Sequence, residues 1–283
     1  MNKKYIKWGL GALAVAAAGV LLDALVLEKY FFEVKTFDIG DKSSRKKLKL
    51  VLLADLHFKH NMLPQYSKLA QTLNQMQPDL VLIAGDTLDS SGGMLPMEQF
   101  FSLLRQDMPK VAIPGNNDYK ADPSIQRLKE AYAKHGCDFL LNETKAYTLK
   151  GERVVVTGLD DFIQGESHFK DAVEGIGKEA HHLLLIHSPL QLELVQKEVE
   201  QLNSERSPSD QLNIRYAFAG HNHGGQVRLP SYVPKLPRKS GDYINGWYKD
   251  RSPYLYVSKG FGTSAVPFRF FARAELTFFH YHV

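Results

Sequence analysis

Six short apolar runs stand out from the polar sequence between residues 48 and 219, and each is rich in aliphatic or aromatic residues. Runs of four to eight such residues, bounded by polar or turn-forming segments, are typical of strands that are buried on both faces. The pattern therefore predicts six interior strands, at residues 48–54, 79–84, 110–114, 153–158, 181–186 and 215–219.

Amphipathic segments separate these runs, with apolar residues three or four positions apart, as on one face of a helix. They predict helices over residues 64–77, 97–107, 124–135 and 191–202. Near the carboxyl terminus, residues 254–258 and 274–281 alternate in polarity and predict antiparallel strands. Strands that alternate with helices along a chain indicate an α/β fold.

The amino terminus has a different pattern, because residues 8–27 are apolar except for Asp23 and follow three lysines. About 20 apolar residues are enough to cross a bilayer as a helix. We therefore expect an uncleaved membrane anchor, and a cleaved signal peptide ending near residues 16–19 is the alternative interpretation. The predicted division is an anchor, a linker with the first strand, and a globular domain, over residues 1–28, 29–47 and 48–283.

Charges beside the apolar segment bear on its orientation. Lysines before it place the amino terminus in the cytoplasm and the globular domain outside, as a single-pass membrane protein. The basic residues at 42–49 follow the segment and favour the opposite orientation, unless they rest on anionic lipid.

Composition narrows the class of protein only slightly. The chain has 283 residues and a net charge of +4, which is too weak and too dispersed to indicate a nucleic-acid partner. Cys137 is its only cysteine, so no disulfide can form within the chain. We expect a monomer.

Five of the six predicted strands end on residue types that bind metal ions. The carboxyl ends of strands in α/β sheets line the crevice where ligands bind. A helix cap would explain an aspartate alone, a turn would explain the asparagine, and a core histidine would explain His187. Their recurrence at five strand ends favours a shared metal site. The ends are Asp55-Leu56-His57, Gly85-Asp86, Gly115-Asn116-Asn117-Asp118, His187 and Gly220-His221-Asn222-His223.

The donor types limit which ions fit. Carboxylate, imidazole and amide groups without thiolates favour Mn, Fe, Zn or Co. Two such ions about 3.5–4 Å apart can activate a water molecule and hold a phosphoryl group for in-line attack.

In this order, Asp-x-His, Gly-Asp, Gly-Asn-x-Asp, a strand-end His and Gly-His-x-His resemble the calcineurin-like binuclear metallophosphoesterase superfamily. The resemblance implies a four-layer α/β/β/α sandwich of two mixed sheets. It also implies two divalent ions, with Mn the foremost candidate and Fe, Zn or Co the others. The implied ligands are Asp55, His57 and His223 for the first ion and Asn116, His187 and His221 for the second, with Asp86 bridging.

The segment from His221 to Val227, followed by a Pro-rich loop and the Gly262 and Pro267-Phe268-Arg269 motifs, is similar to the membrane-anchored bacterial branch. That branch contains phosphodiesterases and a UDP-2,3-diacylglucosamine pyrophosphatase. The resemblance implies cleavage of a phosphodiester or pyrophosphate bond by a hydroxide that bridges the ions, on a substrate that is lipid-linked or nucleotide-linked. A metal-binding protein that docks phosphate with little or no catalysis is the alternative hypothesis.

One position departs from the superfamily pattern. Asn117 stands where the superfamily usually has a histidine that assists the leaving group. Asparagine can donate a hydrogen bond but cannot act as a general acid near neutral pH. Substrates with a good leaving group, or a substitute such as His60, would compensate. Arg228 is a further candidate, either for binding a phosphate through two hydrogen bonds or as an ordinary surface arginine.

Overall fold

The computed structural model describes residues 3–229 and 232–283, and its strands form two six-stranded sheets. In spatial order the first sheet contains β1 (Glu33–Gly40), β12 (Glu275–His282), β2 (Lys47–Leu53), β3 (Leu80–Ala84), β4 (Lys110–Ile113) and β5 (Cys137–Phe139). The second contains β10 (Gly246–Tyr248), β11 (Tyr254–Val257), β9 (Ile214–Ala219), β8 (His182–Leu185), β7 (Glu152–Gly158) and β6 (Glu143–Leu149). The six strands predicted from apolar runs are confirmed as β2, β3, β4, β7, β8 and β9.

Both sheets are mixed. Strands β2 to β5 are parallel, whereas β12 is antiparallel to β2 and parallel to β1. In the second sheet β7, β8, β9 and β11 are parallel, and the outer strands β6 and β10 are antiparallel to their neighbours. The two strands predicted near the carboxyl terminus are present as β11 and β12, but each pairs with one parallel and one antiparallel neighbour. Alternating polarity indicates which face of a strand is buried and does not indicate the direction of its neighbours.

Strand β2 shows why these apolar runs are continuous. Leu48, Leu50 and Leu52 pack between the two sheets, in one cluster with residues of β7, β8 and β9. Val51 and Leu53 alternate with them and face the helices on the outside of the first sheet. Because both faces of the strand are covered, both need apolar side chains.

The amino-terminal segment forms α1 (Lys3–Leu22), a π-helical turn (Asp23–Leu27) and α2 (Glu28–Tyr30). Within the described residues, no helix is both long enough and apolar enough to cross a bilayer. The predicted transmembrane helix over residues 8–27 is therefore not supported, since regular α-helix ends at Leu22 and the remaining turn begins with a carboxylate. Met1 and Asn2, which the predicted anchor includes, lie outside the described residues.

The later helices cover the outer faces of the sheets. They are α3 (Pro64–Met76), α4 (Met94–Ser102), α5 (Asn116–Ala121), α6 (Gln126–Lys134), α7 (Phe169–Ala172) and α8 (Gln191–Glu205). Apolar residues of α3, α4 and α6 pack on the first sheet, and those of α7 and α8 pack on the second. The layers are thus helix, sheet, sheet and helix, as the resemblance implies.

Several predicted helix boundaries moved: α4 ends at Ser102 instead of 107, α8 ends at Glu205 instead of 202, and the starts of α6 and α4 also differ. Helix α6 begins at Gln126 because Ile125 has a φ of 58°, outside the right-handed helical region. Helix α4 begins three residues before the predicted start, since Pro96 lies within its first turn, where a missing N–H is tolerated.

Candidate metal centre

The predicted ligands lie on loops at the carboxyl ends of five strands. Six of the seven side chains form two groups of three, in each of which the ligand atoms lie within 4.8 Å of one another. The first group is Asp55, His57 and His223, and the second is Asp86, His187 and His221. All six side chains are buried. Each group combines residues from both sheets, so the centre lies where the two sheets meet at this edge.

Asp86 faces both groups. Its Oδ2 atom lies 3.5 Å from Nε2 of His57 and 3.5 Å from Nε2 of His187. These distances are too long for strong hydrogen bonds, and a cation on either side of the carboxylate would occupy the space between the atoms. The position suits a carboxylate that bridges two ions.

The rings of the first group also converge. Nε2 of His57 lies 3.1 Å from Nε2 of His223, and Oδ1 of Asp55 lies 3.6 Å from the same His223 nitrogen. On the far side of the rings, Oδ2 of Asp89 is 3.6 Å from Nδ1 of His57, and the guanidinium of Arg269 is 3.3 Å from Nδ1 of His223. The Asp89 carboxylate can accept from Nδ1 of His57 and so leave Nε2 to face the centre, whereas the guanidinium can only donate and packs against His223 without fixing its inner nitrogen as an acceptor.

Backbone carbonyls orient the histidines of the second group. Nδ1 of His187 donates to the Ala84 carbonyl oxygen at 2.8 Å, and Nε2 of His221 donates to the Arg238 carbonyl oxygen at 2.9 Å. When the rings are neutral, Nε2 of His187 and Nδ1 of His221 are then the acceptors that face inward. Oδ1 of Asn116 lies 3.1 Å from that His221 nitrogen, and either a cation between the two acceptors or a rotated amide would satisfy both.

The loops that carry these ligands have unusual backbone conformations. Five of the residues have positive φ angles between 46° and 72°, namely Asp55, His57, Asp86, His221 and His223. Such conformations cost about 1–3 kcal/mol each for residues other than glycine and are concentrated at functional sites. Packing of the two sheets must therefore hold the ligands in position.

Two glycines make room for the carboxylates. A Cβ atom on Gly115 would lie 2.4 Å from Oδ1 of Asp86. A Cβ atom on Gly260, whose φ is 69°, would lie 2.6 Å from Cβ of Asp55. Gly260 follows β11 and belongs to no ligand motif, so the sequence alone did not single it out.

Burial and neighbouring charges move the pKa values of the centre in opposite directions. Burial raises the pKa of Asp55 to about 6. Burial would also raise that of Asp86, but the nearby His187 and His57 hold the pKa of Asp86 below its usual range. Burial would lower the pKa of His187, yet Asp86 raises it to about 10, whereas burial and the charge of His187 lower that of His221 to about 4. A carboxylate kept ionised beside inward-facing imidazoles is what a cation site requires.

The donor set fits divalent ions of the Mn, Fe, Zn and Co class. Its atoms are carboxylate oxygens, imidazole nitrogens and one amide oxygen, with no thiolate. Nε2 of His187 is buried and has no hydrogen-bond partner, which a metal ion would supply.

The other predicted site residues occupy different surroundings. Asn117 lies beside Asp86, where its backbone N–H donates to Oδ1 at 2.7 Å and its Nδ2 donates to Oδ2 at 2.6 Å. His60 is exposed on the loop after His57. Arg228 donates through Nε to the Phe271 carbonyl oxygen and through Nη1 to Asn245, each at 2.8 Å. Neither His60 nor Arg228 belongs to the two ligand groups that the described residues form.

Asp89 and Lys120 near the centre were not singled out from the sequence, and Asp118 was named only as part of the Gly-Asn-x-Asp motif. Asp89 lies behind His57, as described above. Asp118 accepts from the backbone N–H of Leu88 at 2.7 Å and of Gly115 at 2.9 Å, and so ties the loops after β3 and β4 together. Nζ of Lys120 donates to Oδ1 of Asn117 at 3.1 Å. A spacing of three residues on α5 is the signal that could have placed Lys120 beside Asn117.

A family model for calcineurin-like phosphoesterases matches residues 48–225, more than half of the chain. The chain belongs to this family. Membership indicates a metal-dependent phosphoester hydrolase, and the matched segment contains every residue of the two ligand groups.

The relatives named here match most of the length of this chain. The uncharacterized metallophosphoesterase YkuE of Bacillus subtilis is 26% identical, over 98% of this chain and 96% of its own length. The uncharacterized metallophosphoesterase YkoQ of the same organism is 28% identical, over 87% and 89%. A transmembrane protein with a metallophosphoesterase domain from Bos taurus is 23% identical, over 83% of this chain and 53% of its own length.

Proposed function

We propose that this protein hydrolyses a phosphodiester or pyrophosphate bond with the help of two divalent metal ions. The observation that carries the proposal is the position of Asp86, whose Oδ2 atom lies 3.5 Å from a histidine of each group. A carboxylate shared in this way allows two ions to lie close enough to act on one phosphoryl group.

The seven predicted ligands would divide between the two ions. Asp55, His57 and His223 would hold the first, and Asn116, His187 and His221 the second, with Asp86 shared. The ions would supply an activated water molecule and neutralise charge on the phosphoryl oxygens. The carbonyl groups behind His187 and His221 fix the ring nitrogens that face inward. The Asp89 carboxylate lies 3.6 Å from Nδ1 of His57, where its charge favours a proton on that nitrogen.

Asn117 has a positioning role in this proposal. Its two hydrogen bonds to Asp86 fix the orientation of the shared carboxylate. Because Asn117 cannot donate a proton as an acid, substrates should have leaving groups that depart without one. Pyrophosphates and activated phosphodiesters meet this condition, whereas simple alkyl phosphomonoesters do not.

An apolar cavity supports an amphiphilic substrate. It has a volume of about 420 Å³, adjoins His223, and has walls formed by Val227, Leu236, Val266 and Phe268. An acyl chain of the substrate could bind there while its phosphoryl group lies at the metal centre, since such walls favour apolar groups. UDP-2,3-diacylglucosamine, a lipid-linked and nucleotide-linked pyrophosphate, combines both properties and remains the sharpest candidate.

The test is a substrate panel on the purified full chain loaded with manganese. The panel compares UDP-2,3-diacylglucosamine with an aryl phosphodiester, a nucleotide pyrophosphate and alkyl phosphomonoesters. We expect turnover of pyrophosphates and activated diesters, together with about two bound ions per chain. A preference for monoesters would contradict the assignment of bond type. Full metal content without turnover of any substrate would favour the phosphate-docking alternative.

Asp86→Asn is the matching variant, with Asp250→Asn as its control because Asp250 is an exposed acid. We expect the Asp86 variant to lose metal ions and activity together and the control to lose neither. Retention of both ions by the Asp86 variant would contradict the bridging role.

A further inference from the structure

We propose that Lys120 binds an anionic oxygen of the substrate and supplies the positive charge that the departure at Asn117 removes. The inference rests on the proposed function and names a residue that none of the metal-ligand motifs contains. The oxygen that Lys120 would bind is a phosphoryl or leaving-group oxygen of a substrate held next to the second ligand group.

The position of the ammonium group is the first support. Lys120 is three residues after Asn117 on α5, so the two side chains lie on the same face of the helix. Nζ of Lys120 donates to Oδ1 of Asn117 at 3.1 Å and lies 3.2 Å from the side-chain amide of Asn116. The charge is therefore one side chain away from the predicted ligands of the second ion, and the residue itself is exposed to arriving solutes.

The lack of a counter-charge is the second support. Among the described residues, no carboxylate forms an ion pair with Lys120. Two other lysines near this edge of the sheets are each held by a neighbouring group. Nζ of Lys59 lies 3.6 Å from the carboxylate of Asp89. Nζ of Lys239 has no carboxylate partner in the described part of the chain either, but it is held at Phe162, where it donates to the carbonyl oxygen at 2.6 Å and lies 4.0 Å above the ring. Lys120 thus keeps a positive charge that is available to an anion.

The chemistry of the reaction explains what this charge contributes. Water forms a bond to phosphorus while the bond from phosphorus to the leaving oxygen breaks, and that oxygen takes the electron pair. The water loses its proton to solvent. A nearby ammonium group stabilises the negative charge on the oxygens without transferring a proton, and lysine commonly binds phosphate in this way. The arrangement therefore suits good leaving groups and replaces charge stabilisation, but not acid catalysis.

The experiment compares Lys120→Met, Lys120→Arg and the control Lys197→Met in the full chain loaded with manganese. Lys197 is exposed on α8, so its variant removes the same charge from the surface elsewhere. Manganese content, kcat and KM for an aryl phosphodiester, and the affinity for inorganic phosphate measured by calorimetry are the readouts.

We expect Lys120→Met to keep its manganese and thermal stability but to bind phosphate about 10- to 100-fold more weakly. Its kcat/KM should fall on the order of 10²-fold. Lys120→Arg should recover most of both losses because it restores the charge. Unchanged phosphate affinity in Lys120→Met would overturn the inference, as would an equal loss in Lys197→Met.

A double variant tests the link with Asn117. If Lys120 supplies charge in place of the usual histidine, Asn117→His should reduce the loss that Lys120→Met causes. Strictly additive effects would contradict that link. Phosphate affinity distinguishes this inference from the proposed function, since an inactive wild-type chain would refute hydrolysis while the phosphate measurement would still test Lys120.

Discussion

Asn117 has contacts that differ from those a general acid needs. Both its backbone N–H and its side-chain amide donate to Asp86, which lies 31 residues earlier in the chain. The sequence alone shows that no acid stands at position 117, because an asparagine side chain cannot donate a proton as an acid near neutral pH. The sequence cannot show where the Asn117 amide points, because its partner Asp86 lies on the loop after a different strand, β3. The seven candidate ligands could be named from the sequence because each directly follows an apolar run or lies in a short motif.

The protonation of His187 leads to a calorimetric prediction. Burial would lower its pKa, but the Asp86 carboxylate raises it to about 10, so the ring is protonated at pH 8 before metal binds. A metal ligand must be deprotonated, so loading should release about one proton from this residue. Titration of metal-free protein with manganese in buffers of different ionisation enthalpy measures the release. A binding heat that does not depend on the buffer would contradict the prediction.

Gly260 leads to a second prediction at this scale. Alanine there would place Cβ 2.6 Å from Cβ of Asp55 and would strain a backbone whose φ is 69°. Gly175 is a matched control, with a φ of 70° and no atom within 4 Å of an added Cβ. Both alanine variants should lose about 1 kcal/mol or more of stability through backbone strain. Only Gly260→Ala should lose manganese and activity, as measured by metal analysis and turnover. Equal metal content in the two variants would show that Asp55 tolerates the displacement.

Among helices and strands, continuous apolar runs and long amphipathic segments were predictable, and short or polar elements were not. Helix α5 has only six residues, Asn116–Ala121, and no apolar periodicity, because its first turn is occupied by polar residues of the centre. The first strand was expected only somewhere within residues 29–47, because β1 mostly alternates between half-buried and exposed residues at the edge of its sheet, which is a weak signal for its bounds. The apolar segment before it predicted a bilayer helix, but hydropathy alone did not reveal the π-helical turn at Asp23–Leu27.

The apolar lining of the cavity beside His223 leads to a prediction about substrate preference. Val266 lies in its wall, so Val266→Asp would place a charge where an acyl chain is proposed to bind. Leu194→Asp on α8 is the control, since that leucine is 45% exposed and far from any ligand motif in the sequence. We expect kcat/KM for an acylated substrate to fall about tenfold or more in Val266→Asp, while a short aryl phosphodiester is little affected. Parallel losses on both substrates would argue against an acyl site.

At the scale of the whole molecule, His182 links stability to pH. Burial lowers its pKa to about 4, and its Nε2 lies 2.7 Å from Oγ1 of Thr157 on the neighbouring strand. The unfolded chain therefore binds this proton more readily than the folded one between pH 6.5 and 4. The stability that His182 contributes is complete above pH 6.5 and is lost as the pH falls through that window, by roughly 3 kcal/mol.

Urea unfolding of metal-free protein from pH 7.5 to 4 measures this loss, with His182→Gln as the comparison. The variant cannot be protonated, so its stability should fall less steeply over the same range. Identical pH profiles for the two proteins would show that other groups account for the acid sensitivity.

Each ligand group draws on both sheets, with Asp55 and His57 joined by His223, and Asp86 joined by His187 and His221. The first sheet comes mainly from the first half of the chain, and the second from residues 143–257. Neither half therefore holds a complete set of donors. During synthesis a nascent chain would therefore lack a complete donor set for either ligand group until residues 221 and 223 have emerged. Metal loading would then follow the docking of the two sheets, and a chain stalled before residue 221 would lack a histidine in each group.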